Sequence, residues 1–359
     1  MRVLQIMAGA RHGGAETAFV DLCAAMAESG VEVTVVSRPN PRLDRLRALG
    51  LAVHTLPFGG PLDLYTGWRL RQIVRQIRPD ILQTWMSRAA RHVPRAIGVS
   101  VVSRLGGYYK RRHFPRTDYF TTITPALREW LIGQGVAPER VRTVLNFAET
   151  DDPATPPLPR ASVQTPEVVP LILALGRLHP SKAIDTLLRA LVDLPDVWLW
   201  IAGEGPERAN LAALVRTLKL DDRVRFLGWR DDRAALFGAC DLCVFPSRYE
   251  PFGTVFVQAW AHGKPLIATL SDGPRQFVRN DVDALAVPVD DPKALSAAIR
   301  RIVDDANLRA RLTREGRAHY ERTFTKEACV ASYLAFYREI LEERIAPLSK
   351  KNEKVGQAR

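Results

Sequence analysis

Apolar residues recur along this chain in short runs, and longer stretches of helical spacing lie between the runs. Over the first 148 residues the runs predict strands at 3–7, 31–36, 52–56, 81–84, 101–104, 119–122 and 141–145. Helical spacing falls around 15–29, 65–78 and 125–134. Runs that are apolar at nearly every position suit strands buried on both faces, and strands alternating with helices specify a doubly wound parallel sheet. Residues 149–168 break the pattern with prolines and polar side chains and read as a linker. A second alternation starts at Val169 and runs to about Val303, with clear strands at 171–175, 242–245 and 266–269. A last helical pattern extends from Lys326 to about Glu343. The predicted organisation is α/β: Rossmann-like domains at 1–148 and 169–325, a closing helix at 326–345 and a basic, solvated tail at 346–359.

A length of 359 residues exceeds what one core usually holds, and 47% hydrophobic content suffices for two. No apolar stretch is long enough for a membrane-spanning helix, and Met1–Met7 reads as a first strand rather than a leader. Four cysteines in such a chain make no disulfide framework, so a reducing cytoplasm is expected. Cys240 and Cys243 have CxxC spacing but flank the entry to a buried strand, and are read as small core residues. The net charge of +12 points to anionic partners such as phosphates, acidic glycans or headgroups. No zinc-finger, RNA-recognition or helix-turn-helix signature accompanies it, so nucleic acid is not the expected partner. The seven histidines show no paired ligand spacing, and no metal is predicted.

Candidate chemistry lies where strands end. Leu242 to Phe245 is followed by Pro246-Ser247, then by a polar loop with Arg248, Tyr249 and Glu250, and Gly253 turns the chain into a helix from about Thr254 to His262. Ligands of open α/β sheets bind beyond the carboxyl ends of strands, and helix starts there attract phosphate. A carboxylate beside such a site would accept from hydroxyls, although a surface glutamate on an ordinary strand–loop–helix unit fits the pattern as well. In the second domain's first loop, Gly176, Arg177 and Lys182 bring a planar fork and a mobile point charge, a pair suited to a diphosphate or simply solvated. Gly9 to Thr17, with Gly13 and Gly14 and the exposed His12, is a glycine-rich first turn without the dinucleotide fingerprint.

The run Glu250-Pro251-Phe252-Gly253, with seven residues between Glu250 and Gln258 and then Ala259 to Pro265, resembles the signature of the retaining glycosyltransferases of family 4. The family usually carries glutamate where this chain has Gln258, which keeps an acceptor for ribose hydroxyls but lacks the charge. Gly176-Arg177-Leu178 with Lys182 is similar to the family's pyrophosphate-binding pair, and Gly13-Gly14-Ala15-Glu16 to its amino-terminal loop. Ile201–Glu207 and Val224–Trp229 are further landmarks, and Asn146 matches the asparagine that ends the family's first domain. At the ends of the fourth and fifth strands many members carry a histidine; here stand Trp85 and Arg104, and no catalytic histidine is assigned. Asp281-Val282-Asp283 has the spacing of a metal–nucleotide motif but falls in a late turn and is discounted.

The resemblance implies the GT-B architecture, two doubly wound Rossmann-like domains facing across a cleft, with the last helix packing back on the first domain. It implies a metal-independent retaining hexosyltransferase that uses a nucleotide-sugar, a UDP-sugar first among them, and needs no cofactor. Glu250, Arg177 and Lys182 are the implied catalytic residues; Gly13, Gly14, Gly176, Phe252, Gly253, Thr254 and Gln258 join them in binding the donor. The implied acceptor is a lipid-linked or lipopolysaccharide-core glycan. The crowded segment Arg104, Tyr108, Tyr109, Lys110, Arg111, Arg112, Phe114 and Arg116 is expected to meet it, together with the inner face of the membrane. A catalytically silent sugar-nucleotide-binding protein is the other reading, suggested by Gln258 and the missing histidine.

Overall fold

The computed structural model of the chain describes residues 1–359 except 10–13, 61, 96, 149–154 and 357–359, with backbone alone over 345–356. Along the chain come β1 (Arg2–Met7), α1 (Gly14–Glu28), β2 (Glu32–Ser37), α2 (Leu43–Ala48), β3 (Ala52–Thr55), α3 (Leu64–Ile77) and β4 (Ile81–Trp85). There follow α4 (Met86–His92), β5 (Ser100–Leu105), β6 (Tyr119–Thr122), α5 (Pro125–Ile132) and β7 (Val141–Thr143). The second half has β8 (Leu171–Leu175), α6 (Ile184–Leu191), β9 (Trp198–Ala202), α7 (Arg208–Thr217), β10 (Val224–Gly228), α8 (Arg233–Ala239) and β11 (Leu242–Phe245). After it come α9 (Thr254–Ala261), β12 (Leu266–Thr269), α10 (Pro274–Phe277), β13 (Leu285–Val287), α11 (Pro292–Asp304), α12 (Ala306–Thr323) and α13 (Lys326–Gly356). One unit comprises Met1–Asn146 and Lys326–Arg359, the other Phe147–Thr325.

Both sheets are wholly parallel, ordered β3-β2-β1-β4-β5-β6-β7 and β10-β9-β8-β11-β12-β13. Each reverses direction once, at β1/β4 and at β8/β11, and a crevice opens at such a reversal because the crossover helices leave to opposite faces. Helices cover both sides of the central strands: β4, β8, β11 and β12 are buried almost throughout, and of these β8 and β11 are wholly apolar while β4 carries the buried polar residues Gln83 and Thr84. Helix ends follow from local chemistry. Asp63 caps α3, Thr124 precedes Pro125 at the start of α5, and Asp305 caps α12.

Three features differ from the pattern reading. Helices α2 and α4 are additional; both are short and arginine-bearing, too brief to establish a period. Residues 155–168 do not behave as a free linker. The Arg160 guanidinium donates to the carbonyls of Ala239, Glu167 and Val169 and to Asp241 at 2.7–3.0 Å, which fastens this stretch to the second unit. The backbone of α13 continues as helix through Gly356, where the sequence suggested a solvated tail; side chains beyond residue 344 lie outside the described residues.

In the first unit α13 lies against the sheet through polar contacts. Tyr337 Oη donates to Gln83 at 2.5 Å, and Tyr119 Oη donates to Glu343 at 2.6 Å. Arg104 is buried, its guanidinium 4.0 Å from the Trp85 ring centre and hydrogen-bonded to Asn146 at 2.5 Å. It therefore does not belong to the exposed acceptor segment expected from the sequence. Nor does Phe114, whose ring packs on Phe120 in the core. Arg104 is held inside by the Trp85 ring over the end of β5, and Phe114, which follows the Arg111–His113 turn, by the rings of Tyr109 and Phe120.

Candidate active site

The site of the second unit is assembled from loops at the carboxyl ends of β8, β11 and β12. Gly176 ends β8 at φ +139°, a left-handed conformation that side chains rarely adopt, and the chain then turns through Pro180–Lys182 into α6. His179 holds this turn, its ring nitrogen 2.9 Å from the Ser181 hydroxyl. The Gly203 and Gly205 turn closes on it from β9: a Cβ at Gly203 would lie 1.9 Å from the Gly176 carbonyl oxygen.

Arg248 clasps the post-β11 loop onto that turn. Its guanidinium donates to both carboxylate oxygens of Asp185 at 2.9 and 2.6 Å, to Asp290 at 2.6 Å, to the Pro180 carbonyl at 2.7 Å and to Thr186 at 3.1 Å. The Ser181 carbonyl accepts from the Arg248 amide at 2.8 Å. Burial alone would raise the Asp185 pKa; hydrogen bonds and charge from Arg248 outweigh it and hold the carboxyl below its ordinary range. Bidentate geometry of this kind fixes position as well as charge. No sequence signal pairs residues 63 positions apart, so the sequence shows this arginine only as a polar loop residue.

The clasp brings Lys182 onto Glu250. The ammonium donates to the carboxylate as an ion pair, both side chains half-buried, and the lysine stem passes over Gly176. The other side of the Glu250 loop rests on Gly273, whose amide donates to the Glu250 carbonyl at 2.7 Å. Gly253 follows at φ +98°, where a Cβ would meet the Phe245 ring at 2.9 Å, and α9 starts at Thr254.

Of the remaining residues expected here, Arg177, two positions past the end of β8, is exposed and has no hydrogen-bond partner among the described residues. Thr254 is half-buried at the first position of α9. Gln258 lies one turn into that helix, almost fully buried, and its amide has no partner among the described residues. Phe252, expected to contact the donor, turns its ring inward against Phe256, Phe277 and Phe324. It is a packing residue that anchors the loop, because an apolar ring between two glycine turns finds the core sooner than solvent. Two hydroxyls that the sequence did not single out, Ser247 and Ser271, are buried at the ends of β11 and β12 without partners among the described residues. In the first unit Gly14 opens α1, whereas Gly13 and His12 lie outside the described residues.

Other motif residues serve packing. Asp283 is buried and takes hydrogen bonds from Arg279 at 2.6 Å and His319 at 3.0 Å, while Asp281 pairs with Arg301. Cys240 and Cys243 are free and buried, and burial pushes the Cys240 thiol up to about 12.

This arrangement of strand-end loops sits in a chain with close relatives. A family model described as "Glycosyl transferases group 1" matches residues 159–319, and one described as "Glycosyltransferase Family 4" matches 12–152. The chain is 35% identical over 337 residues to the lipopolysaccharide core biosynthesis glycosyltransferase LpsE of Rhizobium meliloti, covering 90% of this chain and 95% of that protein.

The chain is a family 4 glycosyltransferase.

LpsD of the same organism is 33% identical over 340 residues, covering 94% of this chain and 98% of that protein. Among solved structures, a glycosyltransferase from Rickettsia africae superposes with a TM-score of 0.83 at 18% identity, covering 95% of this chain and 98% of that one. Anabaena Alr3699/HepE in complex with UDP gives 0.79 at 20% identity, covering 96% and 100%. At that identity the likeness carries the fold, and both Rossmann-like halves of this chain share it.

Proposed function

We propose that this glycosyltransferase moves a hexose, with retention and without a metal, from a nucleotide diphosphate sugar to a lipid-linked or lipopolysaccharide-core glycan. The observation that carries the reading is the Lys182–Glu250 pair at the β8/β11 reversal of the second sheet, on the same two strand-end loops that hold Arg177 and lead into α9. Breaking the bond from the anomeric carbon to the diphosphate leaves positive charge on the sugar and negative charge on phosphate. Lys182, Arg177 and the α9 start meet the phosphate charge, while Glu250 takes hydroxyls of the sugar. UDP as the nucleotude is supported by the HepE complex with UDP, and the acceptor class by the names of LpsE and LpsD. The acceptor is assigned to the first unit's basic segment, where Tyr108 packs edge-on to Trp130 and Arg111–His113 form one turn of helix. The inner face of the membrane is the proposed place of action. The test is transfer from a panel of UDP- and GDP-hexoses by the purified protein to extracted core glycolipid, with the anomeric configuration of the product read by NMR. No transfer from any donor refutes the reading.

Two narrower outcomes follow. Lys182→Ala and Arg177→Ala are each expected to weaken UDP roughly ten- to a hundredfold while leaving uridine nearly unchanged, since charge-assisted bonds to phosphate are lost. Calorimetry that finds equal losses for UDP and uridine contradicts the assignment. For Gln258, replacement by Glu is expected to be tolerated and replacement by Leu to raise the donor KM, because only Leu removes the acceptor oxygen. Unchanged donor kinetics in Gln258→Leu would mean that the side chain does not reach the nucleotide.

A further inference from the structure

The loop before α3 and the first turn of that helix expose large apolar side chains to an unusual degree. Leu62 is 93% exposed, Leu64 82%, Trp68 56% and Tyr65 54%. These are not the loose residues of a frayed end. Asp63 between them accepts from the Gly59 amide at 2.7 Å and the Thr66 amide at 2.9 Å, so the turn is fastened and holds Leu62 and Leu64 outward. The Tyr65 and Trp68 rings lie 5.9 Å apart on the same face of α3, while its other face buries Leu70, Ile73 and Val74.

Cations continue from that apolar tip. The Arg71 guanidinium donates to the Arg95 carbonyl at 3.0 Å, and Arg116 donates to the Arg91 carbonyl at 3.3 Å and to that of Val93. Among the described residues none of Arg71, Arg91, Arg95, Arg112 and Arg116 has a carboxylate partner. Arginines elsewhere on this chain do pair, as Arg45 with Asp21 and Arg300 with Asp196. The His113 imidazole reports the same crowding: slight desolvation and the charges of Arg91, Arg112 and Lys110 all lower its pKa.

We propose that the Leu62–Trp68 tip inserts into the interface of an anionic bilayer, with the arginine band from Arg71 to Arg116 lying on its headgroups. Trp and Tyr favour the headgroup level because their rings are apolar with one polar end, and Leu side chains reach the acyl boundary beneath. Unpaired arginines supply the matching charge, and their attraction falls as salt rises. This contact puts the membrane on α3, ahead of the Lys110–Arg112 turn to which the sequence pointed. Its purpose rests on the proposed lipid-linked acceptor, but its test needs neither donor nor transfer.

Sedimentation with vesicles of phosphatidylethanolamine and phosphatidylglycerol, at low and high salt and beside phosphatidylcholine vesicles, decides it. The wild-type protein is expected to prefer the anionic vesicles. Leu64→Ser with Trp68→Ser should lower partition at least about tenfold at both salt concentrations, equivalent to about 1.4 kcal/mol. Arg71→Ser with Arg95→Ser should lower it at low salt and flatten the salt dependence. Trp68→Phe alone should retain most of the binding, and UDP affinity should be unchanged throughout, which separates a lost contact from a lost fold. Wild-type-like partition in the Leu64/Trp68 variant overturns the proposal. So does equal binding of wild type to neutral and anionic vesicles, or a loss confined to Lys110→Ser/Arg111→Ser/Arg112→Ser.

Discussion

Glu250→Gln is expected to lower kcat/KM for transfer by roughly 10²–10³ while leaving UDP affinity unchanged or slightly improved. The direction of the second effect follows from the ion pair. In the free protein Lys182 is bound to Glu250, so a diphosphate must compete with that carboxylate for the ammonium. Glutamine has nearly the same shape but no charge, and so releases Lys182 to the phosphate. The sugar loses its anionic partner at the moment when positive charge develops on the anomeric carbon. Calorimetry with UDP beside steady-state transfer kinetics measures both halves. Transfer within a few-fold of wild type would remove Glu250 from the reaction. A fall in UDP affinity matching the fall in transfer would make it a binding residue alone.

Gly273→Ala is expected to be nearly as damaging to transfer, although residue 273 is given no chemical part. Gly273 has φ −69°, which alanine adopts freely, so the obstacle is purely steric. A Cβ there would lie 1.9 Å from the Phe252 carbonyl oxygen and 2.5 Å from its carbon. Neither backbone is a flexible side-chain end, so the Glu250–Phe252 loop must part from Gly273 and the 2.7 Å bond to the Glu250 carbonyl goes with it. Overpacking of this kind costs about 1–3 kcal/mol. Displacing a reacting group by about 1 Å can cost roughly a hundredfold in rate. Gly263→Ala is the control: Gly263 has φ +61° and open space around it, its nearest neighbour at 3.9 Å, so alanine there strains the backbone without moving the loop. It should lose comparable stability with little change in transfer. Equal activity losses in the two variants at a temperature where both are folded would deny the loop its positioning role.

Local pattern settled a great deal in this chain. Strand after strand was legible because a strand covered by helices on both faces must be apolar at successive positions, and β8, β11 and β12 leave no other reading. The loops that carry Lys182 and Glu250 were legible for a related reason: charge and glycine directly after such a strand have only the sheet's carboxyl edge to occupy. Sheet order decided the rest. That β8 and β11 are neighbours is not written in any short run, yet it sets Lys182 on Glu250 and Arg248 on Asp185 across more than sixty residues. Packing decided the fate of single side chains. Phe252 and Phe114 look alike in sequence to Trp68 and Leu64, an apolar residue among polar ones, but the first two find a core and the last two find none. Arg104 lies in a basic run with Lys110, Arg111 and Arg112, yet only Arg104 stands on a strand that aromatic rings close over. Periodicity records which side chains need a neighbour. Whether one is there depends on elements far along the chain, and that the tertiary structure alone determines.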